Sequence, residues 1–389
     1  MRIFIGLREI ANITATYAKG FEALGHDTFT ILWSRNRFYP NSKYDLVIAD
    51  HFDASQSNKG YWNTWLTKIK RAVFRLSSFI YSLATCDIYI FTYGSSFLHR
   101  YIDYPIIKLF RKKIISVFLG SEIRHWYAYE QEMRYLGMYE DVKPYIEYAR
   151  NQPGGPLHEK LDIIHAAEKY ADLILSLPSM SQLLKRPYMR INIPLDLNQY
   201  QFNINNNELP IVVHAPSDRG VKGTNFIMAA VDHLQQEGVE FKFKLIENMS
   251  NADVRQLLAD SDIVVDQLFS HSVATLALEA MACGNVVLAR FTPTYSLIPS
   301  DCPVVNVNKD TLVEQLRNIL LDRDLRRKLA HEGRRYVEKY HSHLHVVQQI
   351  LDWLQPGGIN EYDFTPTFFQ NELNIPPELR QEVSSKSKT

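Results

Sequence analysis

The chain is predicted to be an α/β protein built from two Rossmann-like, doubly wound parallel-sheet domains. Three observations carry this. The chain has 389 residues, more than one ordinary hydrophobic core supports. Short apolar runs alternate with longer amphipathic stretches, the signature of strand–helix units. The alternation then restarts after an asparagine-rich break at 203–210, repeating the plan but not the sequence.

In the first half the runs RIFIG (2–6), TFTIL (28–32), DLVIA (45–49), DIYIF (87–91), IISVF (114–118) and DLILS (172–176) read as strands. They are apolar almost without interruption, as strands covered on both faces must be. Stretches near 10–24, 61–84, 123–150 and 157–170 read as helices. Residues 203–210 hold four asparagines and a proline, a composition suited to an exposed linker. In the second half PIVVH (210–214), FKFKLI (241–246), DIVVD (262–266) and NVVLA (285–289) read as strands, separated by helices near 224–236, 252–260, 273–282 and 310–321. From Asp322 the chain reads helical to about Leu354, where Pro-Gly-Gly at 356–358 stops it. The expected domains are therefore 1–202 and 203–340. A helix at 341–355 is expected to pack back toward the first domain, followed by a partly disordered tail at 356–389. Two such domains are expected to face a ligand cleft lined by the carboxyl ends of their strands.

Composition narrows the function. The 43 basic and 43 acidic side chains cancel, so nothing draws the whole molecule toward nucleic acid. Cys86, Cys283 and Cys302 are odd in number and far apart, matching neither a disulfide framework nor a zinc site, which suits a reducing cytoplasm. The first apolar run is too short for a signal-peptide core. Residues 76–98 are low in charge, but Asp87 in mid-span would cost about 3 kcal/mol in a membrane. Segment 61–84 carries Trp62, Trp65, Lys68, Lys70, Arg71 and Arg75. It reads either as a domain helix packed on the sheet or as a peripheral membrane contact at the inner face.

Two stretches carry chemistry. In DIVVDQLFSHSVATLALEAMACGNVVLA (262–289) a strand ends at Asp266, a loop follows and a helix starts at about Ala274. Backbone N–H groups of Ala274, Thr275 and Leu276 at that helix start favour a phosphate. Glu279, one turn on, suits a ribose diol, since a carboxylate accepts from two hydroxyls. In HAPSDRGVKGTN (214–225) the cations Arg219 and Lys222 sit in a loop directly after a strand. Two fixed cations with helix N–H groups stabilise a departing diphosphate without a metal. His214, Ser217, Gly223, Thr224, Asp266 and Gln267 complete the candidate donor-binding set. The string DSD (260–262) has the form of a metal motif but lies at a helix-to-strand junction with no further carboxylates, so no metal and no other cofactor is expected.

The KGT step at 222–224, the LEAMACG run at 278–284 and RKLAHEGRRYVEKYHS (327–342) resemble the GT-B glycosyltransferases, most closely the large retaining family 4. FLGSEIR (118–124) is similar to a strand end seen in a subset of them. The resemblance covers roughly 210–345 and is patchier over 1–200. It implies that Arg219 and Lys222 hold the diphosphate of a UDP- or GDP-linked sugar and Glu279 the ribose. Glu247 and Asn248 stand where that family's loop passes the base. His271 stands where the family usually has a glutamate that touches the donor sugar, and Arg219, Lys222, Glu279 and His271 are the catalytic candidates. Ala274 replaces a common glycine, and Leu119 a common histidine.

On the acceptor side the candidates are Gly6 and Arg8, Gly94 and Ser95, and Gly120, Ser121, Glu122 and Arg124, each after a strand of the first half. Glu122 with Arg124 reads equally as a structural ion pair. The reading is a retaining, metal-independent glycosyltransferase, with implied roles in polysaccharide biosynthesis and a glycan, lipid-linked or small-molecule acceptor. Two alternatives stand beside it: a nucleotide-sugar epimerase, and a catalytically weak nucleotide-sugar-binding partner subunit. For the main reading Lys222→Ala is expected to cut turnover while leaving the fold intact.

Overall fold

The computed structural model describes residues 1–52, 61–151, 155–205, 207–247 and 249–366; of 61–66 it describes the backbone. Asn248, the side chains of Trp62 and Trp65, and the final SSKSKT lie outside the described residues. The chain runs β1 (Arg2–Leu7), α1 (Ile13–Ala23), β2 (Asp27–Leu32), β3 (Leu46–Val47), α2 (Tyr61–Thr85), β4 (Ile88–Thr92), α3 (Asp103–Leu109) and β5 (Lys113–Val117). It continues through α4 (Trp126–Tyr135), α5 (Tyr139–Arg150), α6 (Leu157–Tyr170), β6 (Leu173–Ser176) and β7 (Met189–Arg190). The second run is β8 (Ile211–His214), α7 (Arg219–Lys222), α8 (Thr224–Gln236), β9 (Lys242–Leu245), α9 (Asn251–Ala259), β10 (Ile263–Val265) and α10 (Thr275–Cys283). It ends with β11 (Val286–Ala289), α11 (Pro293–Ser296), β12 (Val305–Asn306), α12 (Leu312–Leu321), α13 (Arg323–Tyr340) and α14 (His343–Trp353).

The α/β class with two parallel, doubly wound sheets is what the chain adopts. One sheet has the order β3-β2-β1-β4-β5-β6-β7, the other β12-β11-β10-β8-β9. Each ordered pair is parallel, from Arg2 opposite Asp27 in one sheet to Val212 opposite Phe243 in the other. The compact units interleave along the chain. One comprises Met1–His125, Gly154–Ile191 and the chain from Val347; the other comprises Trp126–Pro153 and Asn192–Val346.

Each sheet is buried on both faces, which is why its strands read as apolar runs. In the first unit Phe4, Tyr89, Phe91, Phe97 and Tyr104 form an aromatic core, with Phe91 stacked on Tyr104 at 4.8 Å. In the second, β8, β10 and β11 send alternate side chains to opposite faces. Val213, Val264 and Val287 pack with α10 and α13; Val212, Ile263, Val265 and Val286 pack with α8 and α12. Helix α10 is buried from Ala277 through Cys283, a helix apolar on every side.

Two expectations change. DLVIA pairs only at Leu46–Val47, because the chain then turns and the Ala49 amide donates to the Trp33 carbonyl. The stretch 123–150 is two helices. Gly137, with φ of 70°, takes the left-handed backbone that breaks them, and the Met138 amide closes on the Met133 carbonyl. Helix α2 buries Ser78, Phe79 and Ser82 and leaves Ile69, Val73, Leu76 and Ile80 exposed. Among the described residues no helix is long and apolar enough to cross a membrane.

Candidate functional site

The order of the second sheet reverses at β8, with β9 on one side and β10 to β12 on the other. Ligands of doubly wound sheets bind beyond the strand ends at such a reversal. The chain delivers its charged loop there. β8 ends at His214, Asp218 caps the single turn α7 by accepting from the Val221 amide, and Gly223 closes that turn with left-handed backbone before α8. β10 ends one residue before Asp266.

Lys222 and Asp266 meet at this point. The Lys222 Nζ donates to Asp266 Oδ1 at 2.6 Å and to Gln267 Oε1 at 3.1 Å. Side-chain exposure is 10% for the lysine and zero for the aspartate. Gln267 in turn donates to the Ser272 carbonyl, bracing the loop before α10. Arg219 is exposed and donates through Nε and Nη2 to the two oxygens of Glu247, both at 2.7 Å. Each candidate diphosphate cation thus has a carboxylate partner, which the sequence reading did not foresee. The Glu247 pair is solvent-screened and exchangeable, whereas the Lys222 pair is built into the fold.

Glu279 lies on the inner side of α10 and is buried. Its Oε1 accepts from the Tyr200 hydroxyl at 3.0 Å and from Asn251 at 2.9 Å. Burial raises its pKa, and the charge of Asp266 adds to the shift. Ala274 precedes α10 without a side chain to cap it; Ala274, Thr275 and Leu276 are half-buried. Ser217 is exposed in the loop after β8.

Two candidates serve the fold. His214 is fully buried; its Nδ1 donates to the Val265 carbonyl, which leaves Nε2 to accept from the Thr224 hydroxyl. Burial holds its pKa at about 4, so the ring is neutral and both nitrogens are engaged. Thr224 is spent on the same bond. His271 is also buried. The Arg290 Nη1 points at His271 Nδ1 from 3.3 Å, and Thr292 Oγ1 lies 2.9 Å from the same nitrogen. A guanidinium only donates, so Nδ1 accepts and the proton sits on Nε2, 2.8 Å from the Tyr129 hydroxyl. The Tyr295 ring meets the imidazole edge-on at 4.9 Å.

Arg290, Tyr129 and Asp141 are residues of this site that sequence reasoning missed. Arg290 follows β11, is buried, and donates to Asp141 Oδ2 at 2.9 Å and to the Ser270 carbonyl. Its apolar neighbours on both sides hid it. Tyr129 and Asp141 belong to the α4–α5 hairpin, whose own small core is Tyr129, Met133, Val142 and Ile146. Glu130 binds that hairpin together by accepting from Arg134 on its own helix and Arg150 on the next. Burial pulls the Glu130 pKa up, but the two arginines outweigh it and hold the carboxyl below its ordinary value.

The first-unit candidates gather at the carboxyl ends of β1, β4 and β5. Gly6 lies inside β1 rather than after it. Ser95 accepts from the Leu7 amide at 2.9 Å and donates to the Gly6 carbonyl, so it ties β1 to the loop after β4. Gly94 packs against Ile163. The Arg8 guanidinium lies 5.4 Å from the Tyr93 ring centre, and the Tyr93 hydroxyl is 2.5 Å from that of Ser121. Gly120 precedes Glu122, which is buried and accepts from the Leu119 amide at 2.5 Å. Its other oxygen is buried without a hydrogen-bond partner. Burial drives its pKa up to about 7, against the charge of Arg124. Lys160 reaches the Ser121 carbonyl, and burial lowers its pKa. At the start of α1, Glu9 fills the place an anion would take: it accepts from the Thr14 and Ala15 amides and from the Tyr44 hydroxyl. Among the described residues no group of three or more His, Cys, Asp or Glu side chains could hold a metal ion.

Residues 211–352, which contain α7, α10 and the Lys222–Asp266 pair, match the family model described as glycosyl transferase-like. No curated protein sequence matches the chain. Among solved structures, the sucrose-phosphate synthase of Thermosynechococcus elongatus superposes with a TM-score of 0.59 at 14% identity, over 90% of this chain and 96% of that one. Anabaena HepE, solved with UDP-glucose, gives 0.53 at 13% identity, over 91% of this chain and 98% of that one. WaaG, a glycosyltransferase involved in lipopolysaccharide biosynthesis, gives 0.54 at 12% identity, over 92% and 100%. Two doubly wound sheets and a likeness along the whole chain to these structures show the GT-B fold, and residues 211–352 within it match the glycosyl transferase-like model.

Proposed function

We propose that the chain transfers a sugar from a nucleotide-linked donor to an acceptor hydroxyl. The observation that carries this is the placement of Lys222, Asp266 and Gln267 at the reversal of the second sheet, inside the segment that matches the family. The donor diphosphate lies against α7 and the start of α10, where Lys222 is joined by Arg219 once a phosphate displaces Glu247. Glu279, already an acceptor for two donors, takes the ribose hydroxyls. HepE was solved with UDP-glucose, which supports a UDP-linked donor over a GDP-linked one.

In the transfer the acceptor oxygen bonds to the anomeric carbon as the bond from that carbon to the diphosphate breaks. The acceptor proton passes to the departing phosphate oxygen. Family-4-like retention with this geometry follows from the resemblance, and the cations meet the developing charge without a metal. A glycan, a lipid-linked sugar or a small molecule serves as acceptor, with Arg8, Ser121 and Glu122 of the first unit as its candidate contacts. A reducing cytoplasm suits the buried thiols of Cys86 and Cys283. Peripheral membrane contact through 61–84 rests on the exposed Ile69, Val73, Leu76 and Ile80 with Lys68 and Lys70 beside them. Sedimentation with anionic vesicles tests it: a Val73→Glu, Ile80→Glu variant that still sediments like the wild type removes that contact.

A second reading is favoured by His271, whose two ring nitrogens are engaged inside the fold. It is a nucleotide-sugar-binding partner with little transfer activity of its own. One experiment separates the readings. The protein is incubated with UDP-, GDP- and ADP-sugars, with and without a bacterial lipid or glycan extract, and nucleotide release is followed. Acceptor-dependent release supports transfer, binding without release supports the partner, and turnover of the sugar with no acceptor supports an epimerase. A chain that binds none of the nucleotides ends all three. Undiminished turnover in excess EDTA is expected.

A further inference from the structure

The α4–α5 hairpin packs against the cation turn, and the contact through Tyr148 is close. The Tyr148 hydroxyl, on α5, donates to Asp218 Oδ2 at 2.8 Å. Asp218 uses its other oxygen to cap α7. The Tyr148 ring lies directly over Gly220: a methyl group on that α-carbon would stand 2.4 Å from two ring carbons. A contact that short forces the ring away, and with it the hydroxyl. A one-turn helix has almost no stability of its own, so whatever holds its cap decides where its side chains point.

We propose that Tyr148 is a positioning residue for the donor site, holding the Asp218–Lys222 turn in the conformation that presents Arg219 and Lys222 to a diphosphate. Gly220 is required because the tyrosine ring occupies the space of a side chain. The same hairpin sends Tyr129 to His271 and Asp141 to Arg290. It therefore braces the second unit's strand ends at three places separated widely in sequence. The inference rests on the diphosphate reading above.

The test is a double-substitution cycle read by calorimetric titration with UDP and with GDP. Tyr148→Phe keeps the ring and loses the hydrogen bond; loss of a bond to a charged acceptor is expected to weaken nucleotide binding about five-fold. Gly220→Ala is expected to weaken it at least as much in the wild-type background, and to have no further effect in Tyr148→Ala, where the ring is absent. With a turnover assay the loss should fall on the KM for donor rather than on kcat, which a general loss of folded protein would not produce. Amide exchange over 218–223 in the nucleotide-free protein should rise in Tyr148→Phe and Gly220→Ala with the unfolding midpoint unchanged. Equal effects of Gly220→Ala in both backgrounds, or no change in exchange, overturn the role of Tyr148 while wild-type nucleotide binding leaves the donor site standing. Wild-type protein that binds neither UDP nor GDP overturns both.

Discussion

Asp266 in the second unit and Glu9 and Glu122 in the first are carboxylates buried beyond the ends of their sheets, and they are accommodated in opposite ways. In the second unit Asp266 is fully buried but ion-paired with Lys222. In the first unit Glu9 and Glu122 are buried with hydrogen bonds from backbone amides and, for Glu9, the Tyr44 hydroxyl. Burial drives both glutamates up to about 7. A charge removed from water must be paired or neutralised. Asp266 is paired with a cation, whereas Glu9 and Glu122 are pushed toward the protonated form.

The largest expected effect tests the pairing. Lys222→Met leaves Asp266 buried and unmatched, and removal of one partner of a buried pair costs about 3–5 kcal/mol. Urea unfolding should show that loss, and Lys222→Met with Asp266→Leu should recover most of it. An unchanged midpoint in the single variant would show that water reaches Asp266 and remove the contrast. The earlier expectation that Lys222→Ala spares the fold is revised by the same pair, so its activity must be read beside its stability.

The next effect sharpens the other side. Glu122 titrates near 4.5 when unfolded and at about 7 when folded. Between those values the folded chain holds a proton that the unfolded chain has released, so stability falls as pH rises through the window and levels off above it. The drop is on the order of 3 kcal/mol for the group. Glu122→Gln should remove its share of the slope between pH 4.5 and 7, roughly half, with the rest left to Glu9, and an unaltered slope would place the titration elsewhere. Smaller again, Ser95→Ala orphans the buried Leu7 amide and should cost about 2 kcal/mol in chemical denaturation. Smallest of all, Arg219→Ala removes an exposed pair and should leave the midpoint where it was while weakening UDP binding.

Much of this architecture was legible because parallel strands buried on both faces are written as unbroken apolar runs: RIFIG and DIVVD need no partner to be recognised. What escaped was set by distant or very short pairing. Met189–Arg190 and Val305–Asn306 are two-residue strands with no pattern to read. The hairpin inside 123–150 depends on one left-handed glycine. At the site, Lys222 and Asp266 were both marked, but their bond joins loops 44 residues apart. The setting of His271 comes from Tyr129, 142 residues away. Loop chemistry identified the residue types; only tertiary packing decided that His214 and Thr224 answer each other.

The interleaving of the two units bears on how the molecule is made. A ribosome releases Trp126–Pro153 before most of the unit that segment joins, and releases the chain from Val347 long after the rest of its own unit. The second unit is complete once Val346 has emerged, but the first must wait for the chain from Val347. A protein shortened at residue 346 loses part of the first unit, and the stretch 192–346 expressed alone lacks the helices that cover His271 and Arg290.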